Sequence, residues 1–153
     1  MAWKKPVSVL VVIHTPALDV LLLERARHPG FWQSVTGSQE GDEPLRETAR
    51  REVLEETGLA VPAADIVDWE ATNRYEIFAE WRDRYGPGVT HNVEHVFSAC
   101  LPDRLPVRIA PDEHLGYRWL PWREAAEACF SWSNRDAILD LPRRLGRPAA
   151  TGA

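Results

Sequence analysis

The segment from residue 37 to residue 59, GSQEGDEPLRETARREVLEETGL, constrains this chain more than any other stretch. It carries seven acidic side chains and three glycines. Apolar residues recur in it every four positions, as on the buried face of an amphipathic helix: Leu45, Ala49 and Val53. Gly58 supplies a natural end for such a helix. We therefore predict a helix over residues 44–57. Its apolar face is buried, and its carboxylates lie on the other faces.

Apolar runs on both sides of this helix predict strands. The runs PVSVLVVIH and VLLLER are rich in β-branched residues and leucine, and a third short strand ends at Gly37. Strands are predicted at 6–14, 20–25 and 32–36, then within 59–61 and 65–85, and at 92–102 and 114–121. Helix-forming residues occupy 122–130, and Ser133 or Asn134 is a plausible N-cap for a last helix. Because strands and helices mix without regular alternation, the predicted fold class is α+β.

The length of 153 residues suits one domain with one core. We predict a single domain over residues 1–145 and a disordered tail at 146–153. Hydrophobic residues at 44% and charged residues at 27% are typical of a soluble globular protein. The net charge of -5 argues against a nucleic-acid partner, which a basic patch would attract.

The first apolar run does not predict a targeting or membrane segment. Pro16 and Asp19 interrupt it, and nowhere does the chain approach the roughly 20 apolar residues of a membrane span. The two cysteines, Cys100 and Cys129, lie far apart and fit buried thiols in a reducing compartment. We expect a cytoplasmic protein with no membrane contact.

The predicted helix places several carboxylates close together. Glu52, Glu55 and Glu56 stand at i, i+3 and i+4, so their side chains project from the same face of the helix. Their like charges repel each other. Glu43 lies just before the helix, on a loop that Gly37 and Gly41 are expected to loosen. Oxygen ligands that converge in this way suit Mg²⁺ or Mn²⁺, which also bridge to substrate phosphates. Zn²⁺ and Ca²⁺ fit less well, because their usual ligand patterns are missing.

These residues resemble the Nudix box of the Nudix hydrolase family. The match runs through every specified position: Gly37, Glu43, Arg51, Glu52, Val53, Glu55, Glu56, Gly58 and Leu59. The resemblance implies an α/β/α sandwich around a mixed sheet, with the box as a loop-helix-loop. It also implies metal-dependent hydrolysis of a nucleoside diphosphate linked to a further group.

The resemblance assigns expected roles within the box and beyond it. Glu52, Glu55 and Glu56 are expected to hold Mg²⁺, and Arg51 is expected to orient a carboxylate. The catalytic base in this family is either a box glutamate, such as Glu55 or Glu56, or a carboxylate on a distant loop. The distant candidate here is Glu113, which is also a candidate metal ligand.

Segments outside the box narrow the resemblance to one bacterial branch of the family. They include KPVSVLVVIH, FWQSVTGS, YEIFAEWRDRYGPGVTHNVEHVFSACLP, EHLGYRWL and SWSNRDAI. Members of that branch release pyrophosphate from 7,8-dihydroneopterin triphosphate in folate biosynthesis, and some accept dATP. The substrate-binding residues that this resemblance implies are Lys4, Arg25, Thr36, Tyr75, Glu76, Ile77, Phe78, His114 and Ser131.

Other functions remain open on the sequence alone. A less selective hydrolase would act on dATP, other nucleoside triphosphates or RNA 5′ ends, and would need the same metal site. A nucleotide-sensing module without turnover is disfavoured because the box keeps every carboxylate. Water could attack either the α or the β phosphorus, since both routes give pyrophosphate and a monophosphate. The oligomeric state is not predicted.

Overall fold

The computed structural model describes residues 3–146. Seven strands and three α-helices make up this part of the chain. The strands are β1 (Val7–His14), β2 (Asp19–Arg25), β3 (Trp32–Gln33), β4 (Val35–Ser38), β5 (Ile66–Glu76), β6 (His91–Cys100) and β7 (His114–Pro121). The helices are α1 (Leu45–Thr57), α2 (Trp122–Ala128) and α3 (Trp132–Arg144).

The seven strands form one mixed sheet with β1 at its centre. β6 pairs with β1 in parallel, whereas β2 and β4 pair with it antiparallel. β5 lies beyond β6, and both β3 and β7 pair with β2. Because β1 is covered on both faces, seven of its eight residues are buried, which explains why its sequence is a continuous apolar run.

Helices cover both faces of this sheet. Val9 and Val11 face α1, where they pack against Ala49 and Val53 in one cluster of buried residues. Leu10, between them, belongs to the opposite cluster, with residues of α2 and α3. The sequence expectation of an α/β/α sandwich around a mixed sheet is confirmed.

The acidic helix lies where the sequence predicts it. α1 begins after Pro44 and ends at Gly58, whose φ of 73° is left-handed and whose N–H donates to the Leu54 carbonyl at 2.9 Å. A side chain is strained in that conformation, which favours glycine at this position.

Three strand predictions are corrected by the structure. The predicted strand 32–36 is split at Ser34, whose N–H donates to the Asn134 side chain at 2.7 Å, and the chain changes partner from β2 to β1. Residues 59–61 form no strand. The predicted strand within 65–85 ends at Glu76 and is followed by a 3₁₀ helix, Ala79–Arg84.

Two further local predictions are also wrong. The N-cap of α3 is Ser131, whose hydroxyl accepts from the Asn134 N–H at 3.3 Å, and not Ser133 or Asn134, which lie buried inside the first turn. Cys100, predicted to be buried, is exposed at the end of β6, and Cys129 is half-buried.

The single-domain assignment over 1–145 stays a prediction. The predicted disordered tail lies outside the described residues except for Gly146. Within residues 3–146, none of the helices is long and apolar enough to cross a membrane.

Candidate active site

One cleft collects most of the residues predicted from the sequence. Its volume is about 960 Å³, and β1, β2, β4, α1, β6 and the start of α3 all contribute to its walls. Every predicted site residue lines it: Lys4, Arg25, Thr36, Arg51, Glu52, Glu55, Glu56, Tyr75, Glu76, Ile77, Phe78, Glu113, His114 and Ser131. A smaller cavity of about 400 Å³ between β5 and α3 contains none of them.

Arg51 ties the loop before α1 to the helix itself. Its guanidinium donates to Glu43 at 2.6 Å, to Glu52 at 2.7 Å and to the Ser38 carbonyl at 3.1 Å. The hydrogen bond from Arg51, with further ones from the Glu40 N–H and the Thr48 hydroxyl, holds the pKa of Glu43 at about 2. Glu43 therefore serves as a partner of Arg51, whose guanidinium also meets Glu52 and Glu55, and Glu43 does not line the cleft.

Glu52 and Glu56 form a buried pair of carboxyl groups. Their exposed fractions are 9% and 4%. Glu52 shares the Arg51 guanidinium with Glu43 and Glu55, whereas Glu56 has only the imidazole of His114 nearby. Burial, then repulsion between the two, raises the pKa of Glu56 well above its ordinary value, and burial raises the pKa of Glu52 to about 7. The backbone of Thr36 counteracts part of this rise in the pKa of Glu56.

Gly37 makes room for this pair. A Cβ built on Gly37 would overlap the Glu52 carboxylate. The sequence prediction that Gly37 loosens a loop is therefore wrong, since Gly37 lies inside β4. Because glycine has no Cβ, the Glu52 carboxylate can occupy the space beside it. Gly41 does occupy a turn, with a left-handed φ of 55°.

The buried pair has the chemistry of a divalent cation site. One oxygen of Glu56, Oε1, is buried without a hydrogen-bond partner, which is costly unless a cation or another ligand satisfies it. No group of three or more His, Cys, Asp or Glu side chains among residues 3–146 is arranged around a metal position. Glu55 instead points to Arg51 at 3.3 Å and is 54% exposed at its side chain.

Glu113, the last residue of the loop before β7, and His114, the first residue of β7, approach the pair. Glu113 is exposed, and its charge is near enough to contribute to the raised pKa of Glu56. His114 Nε2 lies 3.8 Å from Glu56 Oε1. Burial lowers the pKa of His114 to about 4, so the imidazole is neutral at pH 7 and forms no salt bridge there.

Lys4 and Arg25 are two of the cationic side chains that line the same cleft. Arg25 donates to Gln33 at 3.0 Å and lies over the Trp81 ring, 4.7 Å from its centroid. Lys4 is half-buried, and burial, followed by the charges of Arg84 and Arg25, lowers its pKa to about 8. Both are suited to phosphate oxygens, because neither forms an ion pair with a carboxylate within the described chain.

Several predicted substrate-binding residues also have structural roles. The Thr36 hydroxyl donates to the Val9 carbonyl at 2.9 Å, so it can only accept from a ligand. Ile77 is buried, whereas Phe78 is 46% exposed. Glu76 is exposed and pairs with Arg82 at 2.7 Å. The Tyr75 hydroxyl accepts from the Asn92 amide at 3.0 Å.

An aromatic wall stands around Arg25, of which the sequence predicted Phe78 but missed Trp81 and Phe130. Trp81 meets Phe78 edge to face at 4.8 Å, and Phe130 stacks on Phe31 at 4.8 Å. The 3₁₀ helix after Phe78 brings Trp81 over the cleft, whereas the sequence predicts strand within residues 65–85. The high tryptophan count, seven in this chain, was the available signal.

Comparisons with known proteins agree on one family. The NUDIX domain model matches residues 4–141. The dihydroneopterin triphosphate diphosphatase of Escherichia coli K12 is 46% identical over 139 residues, covering 89% of this chain and 91% of that protein. The Haemophilus influenzae protein of the same name is 38% identical over 141 residues, covering 90% and 88%.

The solved structures give the same result. The structure of the E. coli dihydroneopterin triphosphate pyrophosphohydrolase matches with a TM-score of 0.84 at 45% identity. The match covers 90% of this chain and 95% of that one.

Proposed function

Because this chain belongs to the NUDIX domain family, we infer that it is a hydrolase that cleaves dihydroneopterin triphosphate to the monophosphate and pyrophosphate. The observation that carries this inference is the cleft itself. It joins a buried carboxyl pair to two cations and an aromatic wall, in a chain 46% identical to an enzyme of that name.

Mg²⁺, or Mn²⁺ in its place, is the cation we propose for the buried pair. Glu52 and Glu56 would hold it, with Glu55 and Glu113 as further ligands. A divalent cation there neutralises charge on the phosphates and on the leaving pyrophosphate.

The remaining residues bind and orient the substrate. Lys4 and Arg25 contact phosphate oxygens, and the residues from Tyr75 to Phe78 line the ring pocket. Thr36, His114 and Ser131 complete the walls of the pocket. Arg51 is a positioning residue, because its guanidinium holds Glu52 and Glu43.

Glu113 is the proposed general base. It accepts a proton from the attacking water, whose oxygen forms the new bond to phosphorus while the anhydride P–O bond breaks. Its position on an exposed loop beside Glu56 suits that role, since the base must reach solvent. The box glutamates Glu55 and Glu56 are the alternative bases.

An aromatic wall stacks on any flat ring, so dATP is a second candidate substrate. The cytoplasmic location and the absence of a nucleic-acid partner stay predictions.

The test of the function is product analysis: with Mg²⁺, dihydroneopterin triphosphate should give equal amounts of pyrophosphate and monophosphate, and EDTA should stop the reaction. Release of orthophosphate alone would refute the assignment.

A further inference from the structure

A buried polar pair on β6 forms part of the cleft floor, two strands away from β4. Asn92 and Glu94 stand at i and i+2, so their side chains leave the same face of the strand. Their exposed fractions are 1% and 4%, yet both line the cleft. Neither was singled out by the sequence, and neither has a role in the chemistry described above.

Asn92 keeps an acceptor atom that has no partner, and Glu94 has only neutral partners. The Asn92 amide nitrogen donates to Ser8 at 2.7 Å and to Tyr75 at 3.0 Å, while its Oδ1 is buried without a partner. Glu94 receives only neutral donors, a 3.4 Å contact from Asn73 and a hydrogen bond from Ser133.

A carboxyl group buried among neutral partners is costly to keep, unless a ligand supplies what the protein lacks. Among residues 3–146, no Lys or Arg forms an ion pair with Glu94. Burial raises the pKa of Glu94 above its ordinary value. Perturbed groups of this kind inside clefts are candidates for binding sites.

We propose that Glu94 accepts two hydrogen bonds from the N3–H and 2-amino group of a 2-amino-4-oxo pyrimidine ring, with Asn92 as a further acceptor beside it. This inference rests on the proposed function, since dihydroneopterin carries that ring. Two parallel N–H donors fit the two oxygens of one carboxylate, the geometry by which carboxylates recognise planar donor pairs. Glu94 is thus a specificity residue for the ring and not a ligand of the metal.

One cleft holds both sites. Ser8 of β1 is in register with Glu94 of β6, and both lie on the face of the sheet that α3 covers. The Glu52–Glu56 pair lies on the opposite face, under α1, yet it lines the same cleft as Glu94. A ring at Glu94 and a triphosphate at the carboxyl pair therefore occupy one continuous volume.

The same chemistry discriminates between bases. Guanine shares the donor pair of pterin, whereas adenine presents one donor and one acceptor on the corresponding edge. An ionised Glu94 would face the lone pair of that adenine nitrogen. A site built to pair with substrate N–H groups rejects analogues that lack them, because its own acceptors are then left unpaired. We therefore expect 2-amino-4-oxo rings to be preferred over adenine.

The test combines ring binding with turnover. Glu94→Gln should weaken the binding of 7,8-dihydroneopterin, which has no phosphate, by about tenfold or more when fluorescence is measured without metal. It should also lower the ratio of kcat/KM for dihydroneopterin triphosphate to that for dATP by about tenfold or more. Glu127→Gln, an exposed change on α2, is the matched control and should alter neither value.

A ligand-side experiment covers the case in which Glu94→Gln does not fold. The wild-type protein should bind the pteridine with a 2-oxo group at least about tenfold more weakly than its 2-amino counterpart. Equal binding of the two, or equal losses with both triphosphates in Glu94→Gln, would overturn the proposal. If the wild type binds 7,8-dihydroneopterin through Glu94 but does not hydrolyse the triphosphate, the proposed function fails and the ring site stands.

Discussion

Arg51 holds the metal-binding end of the cleft together through its ion pair with Glu43. The two side chains meet at 2.6 Å and both are about four-fifths buried, with 21% exposed. Because the pKa of Glu43 falls to about 2 from 4.5, its contribution to stability is present above pH 4.5 and is lost as the pH falls through 2. Arg51 therefore stays paired across the physiological range, and the box is preformed before the cation binds.

Replacement of Glu56 by glutamine tests the buried carboxyl pair. The change keeps the shape of the side chain but removes the charge that a cation needs, so kcat should fall on the order of 100-fold or more. Circular dichroism should show an unchanged fold. Glu47→Gln is the control and should keep parent activity, because Glu47 is a half-buried residue of the same helix that pairs with Arg50 and does not line the cleft. If Glu56→Gln turns over at the parent rate, Glu56 is not a metal ligand.

Glu113→Gln tests the assignment of the general base. Loss of a general base typically costs about 10²–10⁴-fold in rate, and the effect should appear in kcat more than in KM. Steady-state kinetics with saturating Mg²⁺ measures it. Near-parent kcat would move the role to a box glutamate.

At the scale of elements, the paired carboxylates depend on the close approach of α1 to β4. α1 packs on β1 through Ala49 and Val53, and Gly37 lets the Glu52 side chain lie directly against the strand. The sheet thus sets the depth of the carboxyl pair, and burial in turn raises both pKa values.

Gly37→Ala should displace Glu52 and weaken metal binding. The added Cβ overlaps the carboxylate, so either the side chain or the strand must shift. We expect at least about a tenfold weaker apparent Mg²⁺ affinity in activity titrations, the scale at which groups that position ligands act. Gly116→Ala in β7 has open space at its Cβ and serves as the control. Equal Mg²⁺ affinity in the two variants would contradict the role given to Gly37.

The sequence predicted the parts of the site that lie on one continuous element. The periodicity of Leu45, Ala49 and Val53 located α1, and the glutamate spacing located its acidic face. It did not predict that Ser34 would break a strand by bonding to Asn134, because that contact joins residues 100 apart in the chain. The position of Trp81 over Arg25 was missed for the same reason.

At the scale of the whole molecule, the cleft brings both faces of the sheet to one substrate. The carboxyl pair belongs to the α1 side, while Ser8, Asn92 and Glu94 share the side of Leu10 that faces α3. Folding therefore concentrates acidic groups that repel each other at one end, and a cation is needed to offset that repulsion. The stability of the fold and the affinity for a cation both depend on whether Glu52 and Glu56 are protonated.

The thermal stabilisation by Mg²⁺ should grow as the pH rises from 5.5 to 8. The raised pKa of Glu52, about 7, means that its proton favours the folded state below pH 4.5 and that this stability is lost as the pH rises through 7. Mg²⁺ needs the deprotonated pair, so it competes with protons at low pH. The difference in unfolding temperature with and without Mg²⁺ measures this. If Mg²⁺ raises the unfolding temperature equally at pH 5.5 and at pH 8, Mg²⁺ does not bind the deprotonated pair of Glu52 and Glu56.

The most direct test of the central claim is a comparison of kcat/KM with Mg²⁺ across dihydroneopterin triphosphate, dATP, 8-oxo-dGTP and RNA with a 5′-triphosphate. We predict that dihydroneopterin triphosphate is preferred over each of the others by at least about tenfold, or roughly 1.4 kcal/mol of transition-state stabilisation. A preference of that size for any other substrate in the set would contradict the assignment.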